Sequence, residues 1–265
     1  MMQQFNQGKL FLIAGPCVIE EKSLTFDIAG KLKEICEELQ IPLLFKASYR
    51  KANRTSLDSF QGIGDNEALN VLREIRSELK LPTTTDVHSP EEAKEVSKIV
   101  DVVQIPAFLS RQTDLLVAAG KHGGCVNIKK GQFLSPESMQ FVIEKVKAGG
   151  CENIWLTERG TSFGYQDLVV DFRSIPKMKM HKCKVVMDCT HSQQKPNLSQ
   201  GVTGGDPAMI ETIAKAGVAV GANGLFIETH PTPETAKSDG STMLPLHHLK
   251  ELLIKLLAIK KAIDS

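Results

Sequence analysis

Ile41-Pro-Leu-Leu-Phe-Lys-Ala-Ser-Tyr-Arg-Lys-Ala-Asn-Arg-Thr-Ser56 is an apolar run that ends abruptly in charge. The residues from Ile41 to Phe45 read as a buried strand that stops at Lys46. Lys46, Arg50, Lys51 and Arg54 then put four cations within nine positions of a chain whose net charge is only +1. A polar, glycine-bearing loop follows as far as Glu67. Cations at a strand end suit phosphate or carboxylate, with Arg offering a planar fork and Lys a compact point charge. An isolated charged loop is most often solvated surface. Here the pattern recurs along the chain, and that recurrence decides the fold.

Working outward, strand-like and helix-like segments alternate from end to end. Strands are predicted over 10–17, 42–48, 82–87, 101–106, 125–130, 153–159, 184–191 and 224–230. Helices are predicted over 23–40 (opened by a Ser cap), 67–80, 111–122, 172–181, 207–220 and 246–263. Two more open with Ser89-Pro90-Glu91-Glu92 and Ser135-Pro136-Glu137, each a capping Ser with Pro at the first helical position. Most strands are rich in Val, Ile and Leu, as parallel strands covered on both faces should be. A doubly wound sheet with fewer strands gives the same alternation. Eight units in roughly 250 residues favour an α/β fold of the (β/α)8 barrel type, one catalytic domain over 1–265. Neither a GxGxxG nor a Walker A phosphate loop is present.

Composition narrows the function. A hydrophobic content of 42% and a charged content of 24% are those of an ordinary soluble domain. Near-zero net charge argues against nucleic acid or a membrane surface as partner. No apolar stretch approaches the roughly 18 residues of a membrane span. The run over 10–15 is too short for a signal segment, and Pro16 stands where cleavage needs a small residue. Asn53-Arg54-Thr55 and Asn197-Leu198-Ser199 are sequons without meaning in the absence of secretion. Cys17, Cys36, Cys125, Cys151, Cys183 and Cys189 form no CxxC pair, so reduced thiols in a cytoplasmic protein are expected.

Three strand-to-helix connections are long, after Ser48, His191 and His230, and long loops in a compact domain are usually functional. They fall on the face where barrels place their chemistry. The strand ends there carry Cys17, Lys46, Asp86 with His88, Gln104, Lys129 with Lys130, Glu158 with Arg159, Asp188 with His191, and Glu228 with His230. These polar groups should converge on one mouth. Lys46, Lys51, Arg54, Lys129 and Arg159 form a cationic set suited to phosphates and carboxylates. Cys17, His191, Glu228 and the loop residue Asp239 form a possible divalent-metal set of thiolate, imidazole and carboxylates. Cys189, two residues before His191, should face the same side one layer deeper, as a small buried residue. Lys129 or Lys46 at a strand end is also compatible with a Schiff base. A non-catalytic sugar-phosphate binder is a further alternative.

Particular stretches are more specific. Ala14-Gly-Pro-Cys17, Phe45-Lys-Ala-Ser48, Lys51-Ala-Asn-Arg54, Gln104-Ile-Pro-Ala-Phe-Leu109, Arg111-Gln-Thr-Asp114, Asn127-Ile-Lys-Lys-Gly-Gln-Phe133, Leu156-Thr-Glu-Arg-Gly160, Asp188-Cys-Thr-His-Ser192 and Ile227-Glu-Thr-His-Pro231 carry a resemblance over nearly the whole length. The chain resembles the 3-deoxy-D-manno-octulosonate 8-phosphate synthases. The related 3-deoxy-D-arabino-heptulosonate 7-phosphate synthases, which use erythrose 4-phosphate, typically read Lys-Pro-Arg-Thr where this chain has Lys51-Ala-Asn-Arg54. The resemblance implies a transferase of the cytoplasm that joins phosphoenolpyruvate to D-arabinose 5-phosphate, with water, on the route to lipopolysaccharide. It implies that Lys51, Lys129 and Arg159 hold phosphoenolpyruvate, with Lys46 near its reacting carbons. Asn53, Arg54 and Thr55 would bind the pentose phosphate, with Thr55 where the family usually has Ser. Asp86 and Gln104 would line the site as hydrogen-bonders. Arg111 would reach a neighbouring subunit's sugar phosphate, implying a homotetramer. Cys17 resembles the metal-dependent class, with Cys17, His191, Glu228 and Asp239 as ligands of Zn, Fe(II), Mn or Co. Lys46, His191, Asp239 and Cys17 are thereby the expected catalytic residues.

Overall fold

The computed structural model describes residues 1–52, 59–165, 167–195 and 204–264. Eight parallel strands close on themselves: β1 (Phe11–Gly15), β2 (Leu43–Lys46), β3 (Thr83–Asp86), β4 (Val102–Ile105), β5 (Val126–Lys129), β6 (Ile154–Glu158), β7 (Lys184–Asp188) and β8 (Gly224–His230). Neighbours in sequence are neighbours in the sheet. The ring is sealed where β8 pairs with β1, Phe11 opposite Gly224 and Gly15 opposite Glu228. Eight helices cover the outside: α1 (Lys22–Glu38), α2 (Asp65–Glu78), α3 (Pro90–Val96), α4 (Thr113–His122), α5 (Met139–Ala148), α6 (Ser174–Lys179), α7 (Ile210–Ala219) and α8 (Leu246–Asp264). The expected (β/α)8 barrel is the fold observed. No helix among the described residues is long and apolar enough to cross a membrane.

Alternation along the strands builds the interior. Leu44, Val102, Trp155, Val186 and Phe226 point inward and pack with Phe11, Ile13 and Cys125 into a buried apolar layer. The N-terminal turn Met2–Asn6 plugs this end, with the Phe5 ring edge-on to Phe11 and Trp155 at 5.4 and 5.3 Å. Two residues further along each strand stand Lys46, Gln104, Thr157, Asp188 and Glu228, all buried. A period of two therefore turns an apolar floor into a polar ceiling within one turn of pleat. The other face of each strand packs under the helices in a larger apolar cluster.

Three local expectations change. The Ser23 side chain does not cap α1. Glu21 occupies that position without a side-chain cap bond, and the Ser23 hydroxyl donates to the Glu21 carboxylate instead. Ser135 does receive Ser138 N at 3.2 Å, but it closes a turn, and regular helix begins only at Met139. Ser89 caps as expected, accepting Glu92 N at 3.2 Å. A fourth long connection joins the expected three: between β6 and α6 an antiparallel pair, Thr161–Phe163 with Asp167–Val169, stands out from the barrel.

Candidate active site

Cys17, Lys46 and Glu228 meet where β1, β2 and β8 end. Gly15 makes the approach possible: a Cβ there would sit 2.0 Å from the Lys46 carbonyl oxygen, so only glycine lets β1 run this close to β2. The Lys46 ammonium, 1% exposed, donates to Glu228 Oε1 at 2.6 Å and to the Cys17 carbonyl at 3.0 Å. Burial works against the Glu228 charge, but Lys46, then His191, Lys51 and Lys129, outweigh it and hold the carboxyl down at about 2. Thr190 Oγ1 fixes the strand there by accepting Glu228 N at 2.8 Å.

Ligand atoms of Cys17, Glu228 and Asp239 lie within 4.8 Å of one another. The Cys17 thiol donates to Asp239 Oδ2 at 3.2 Å and lies 2.9 Å from the Ser238 hydroxyl. Burial, followed by the Asp239 and Glu228 carboxylates, pushes this thiol far above its ordinary value. Asp239 has φ +51, the left-handed region that Asp tolerates better than most residues. His191 joins through Glu228, its Nε2 3.5 Å from Glu228 Oε2. Its Nδ1 faces Asp188 Oδ2 at 2.9 Å, which orients the ring so that Nε2 points towards the Glu228 carboxylate. Glu228 Oε2 is buried and makes no hydrogen bond among the described residues. One soft thiol, two carboxylates and an oriented imidazole fit a divalent transition ion.

On the other side of the mouth, Lys129 donates to Asp188 Oδ2 at 2.8 Å and stands 3.7 Å above the Phe226 ring. Burial pulls the Lys129 ammonium down, and Asp188 resists. For Asp188 burial opposes ionisation, but His191 and Lys129 prevail and hold it far below the carboxylate range. Arg159 gives one nitrogen to Gln194 Oε1 at 2.7 Å, while buried Nη1 has no acceptor among the described residues. An unpaired buried guanidinium nitrogen suits an anion.

Side-chain hydrogen bonds also run round the wall. Thr157 Oγ1 donates to Asn127 at 2.7 Å, Asn127 to Gln104 at 3.0 Å, and Gln104 to Asp86 at 2.6 Å. Ser48 donates to the other Asp86 oxygen at 2.8 Å. Every donor points towards Asp86, a carboxyl that Lys46, Lys51 and Lys129 keep ionised against its burial. A second network ties the first turn of the β2–α2 loop to α3: Arg50, Tyr49 and His88 all bond Glu92, and Arg50 also holds Asp65 at 2.9 Å.

A cavity of about 710 Å³ opens over these groups, lined among others by Lys46, Lys51, Asp86, Lys129, Arg159, His191 and Asp239. Gln104 lies beneath it, behind Asp86. Arg111 is exposed and does not line the cavity. Asn53, Arg54 and Thr55 lie outside the described residues.

The expected convergence holds for Asp86 with His88 and for Asp188 with His191, but not for every pair. Lys130 and Glu158 turn away from the cavity into the wall, because adjacent strand residues face opposite ways. Cys189 does not share the side of His191. It packs in the outer apolar cluster, since the chain leaves the strand at Asp188 and turns. Ser238, Thr190, Asn127 and Thr157 were not anticipated. Asn127 and Thr157 are uncharged polar residues inside apolar runs and carry little signal, while Asp188 is expected only as a strand-end polar group and the structure makes it the partner of His191.

The chain matches the DAHP synthetase I family over residues 4–265. It is 49% identical over 258 residues to a 2-dehydro-3-deoxyphosphooctonate aldolase of Koribacter versatilis, covering 96% of this chain and 92% of that protein. The protein of the same name from Agrobacterium fabrum is 50% identical over 253 residues, at 96% and 90% coverage. That from Brucella ovis is 48% identical over 256, at 97% and 92%. All three relatives carry the octonate name, so the seven-carbon alternative is not favoured.

Proposed function

The chain belongs to the DAHP synthetase I family, and from that premise we propose that it condenses phosphoenolpyruvate with D-arabinose 5-phosphate and water. The products are 3-deoxy-D-manno-octulosonate 8-phosphate and phosphate. The observation that carries this reading is the grouping of Lys46, Lys51, Lys129 and Arg159 around one cavity, with buried Cys17 and Glu228 grouped with its lining residue Asp239. The octonate name of the relatives selects the eight-carbon product.

In the proposed reaction C3 of the enol phosphate attacks the aldehyde carbon while water adds at C2. The tetrahedral centre then expels phosphate by C–O cleavage, so no Schiff base on Lys129 or Lys46 is needed. Lys51, Lys129 and Arg159 hold the phosphate and carboxylate anions, with the open Arg159 Nη1 as one donor. Charge developing on those oxygens meets donors already in position. Lys46, locked on Glu228 and the Cys17 carbonyl, stands over the reacting carbons. Asp188 holds the His191 ring and the Lys129 ammonium each in one direction. Asn53, Arg54 and Thr55 take the pentose phosphate. Arg111 serves the neighbouring subunit of a homotetramer, and the enzyme works in the cytoplasm on the lipopolysaccharide route.

Cys17, His191, Glu228 and Asp239 are the residues that would hold a divalent ion, whether Zn, Fe(II), Mn or Co. Bound there, the ion supplies a Lewis acid for the aldehyde or orients water. The substrate test is a swap. Mass analysis should find an eight-carbon sugar phosphate from arabinose 5-phosphate and little product from erythrose 4-phosphate. The reverse preference would overturn the proposal.

A further inference from the structure

Lys130 and Glu158 are both 1% exposed, charged, and outside the cavity. Each is the neighbour of a cation that faces it: Lys130 follows Lys129, and Glu158 precedes Arg159. The Lys130 ammonium sits in a cage of oxygens. Thr161 Oγ1 is at 3.2 Å, the Leu134 and Gly160 carbonyls at 3.3 Å, and the Gly131 carbonyl and Glu158 Oε1 at 3.4 Å. The same Glu158 oxygen accepts Arg159 N at 3.0 Å and Gly160 N at 2.7 Å. Lys130 N closes the last rung on Thr157 O at 2.8 Å. Gly160 reverses the chain with φ +90. Two loops and two strand ends are therefore gathered on one ion pair.

An ion pair so deep is a poor source of stability. Apolar side chains of similar volume commonly serve as well or better, because desolvating two charges offsets their attraction. What the pair supplies is direction. Five acceptors around one ammonium fix where β5 ends, and three contacts on one carboxylate oxygen fix how the chain leaves β6. Those two ends carry Lys129 and Arg159.

We infer that the buried Lys130–Glu158 pair is a positioning clamp for the phosphoenolpyruvate cations Lys129 and Arg159. The inference rests on the function proposed above. Neither residue touches substrate; each acts through its neighbour. A displacement of about 1 Å in a binding group is enough to cost orders of magnitude in rate or affinity.

The experiment compares wild type with Lys130→Met, Glu158→Gln, Glu158→Leu and the double variant Lys130→Met/Glu158→Leu. KM for each substrate, phosphoenolpyruvate binding by calorimetry, and thermal melting are measured on the full chain. Lys130→Met and Glu158→Leu should raise KM and Kd for phosphoenolpyruvate by about tenfold or more, and move KM for arabinose 5-phosphate by about twofold or less. Glu158→Gln should largely restore the affinity, since its amide oxygen still accepts Arg159 N and Gly160 N. The double variant refills the space with apolar side chains and should melt near wild type while keeping the weak phosphoenolpyruvate binding. Wild-type affinity in a folded double variant, or an equal loss for both substrates, overturns the clamp alone. Wild type that binds no phosphoenolpyruvate overturns the proposed function and the clamp together.

Discussion

Glu228 answers to three groups at once. Lys46 bonds one oxygen, His191 faces the other at 3.5 Å, and Thr190 holds its backbone. Removing Lys46 takes away the largest of the charges that offset this carboxylate's burial, and breaking a buried pair commonly costs about 3–5 kcal/mol. Lys46→Met should therefore lower the unfolding free energy by that order and abolish phosphate release; denaturant melts and the phosphate assay check both. Cys17 makes a second prediction. Cobalt(II) bound by a thiolate should give a near-ultraviolet sulfur-to-metal absorption that is present in wild type and lost in Cys17→Ser. Cys17→Asn should also lose the ion yet retain phosphate release, since the family resemblance implies a second, metal-independent class with Asn in place of this Cys. Metal analysis beside the assay checks it, and a metal-free Cys17→Asn protein without activity would contradict it.

At the scale of elements, the link from β2 to α3 depends on Glu92. Burial raises its carboxyl, but bonds from His88 and Tyr49 dominate and bring it down to about 2. A carboxyl lowered on folding stabilises the native state fully above its unfolded value of roughly 4.3, and loses that contribution as pH falls through its folded one. Glu92→Gln should accordingly melt below wild type at pH 7, by about 1–2 kcal/mol for a partly exposed group, and the gap should close as pH falls from 5 towards 2. A gap that widens on acidification would contradict the link. The elements were largely legible beforehand. Strand 224–230 coincides with β8, because Val/Ile/Leu-type runs with charged ends mark buried parallel strands directly. Helix starts were less legible. Ser23 and Ser135 look like caps in the sequence, but the side chain bonds Glu21 in one case and closes a separate turn in the other. Lys130 and Glu158 look like cavity residues in the sequence, because charge alone does not reveal which way a side chain leaves the end of a strand. Ser238 and Asp239 reach Cys17 across more than 220 positions of chain. Only closure of the barrel brings them together, and for Asp239 the family resemblance supplied what local pattern lacked.

At the scale of the whole molecule, closure of β8 on β1 puts the first and last strands side by side and makes one site from both ends of the chain. Arg111 stands outside that site, with its carbonyl held by Lys145 at 3.1 Å. If it serves a neighbour, light scattering should give the mass of four chains. Arg111→Ala should then raise KM for arabinose 5-phosphate by about tenfold, as loss of a charged phosphate contact does, without changing that mass. A monomer, or an unaltered KM, would remove Arg111 from the account. One measurement addresses both the cation-lined cavity and the buried thiol grouped with its lining residue Asp239. Phosphate release from phosphoenolpyruvate plus arabinose 5-phosphate is followed before chelation, after exhaustive chelation, and with single divalent ions restored. Release that stops with chelator and returns with a transition ion is the predicted result. Absence of release with arabinose 5-phosphate under every condition would contradict the synthase, and full release after chelation would contradict the role given to Cys17, His191, Glu228 and Asp239.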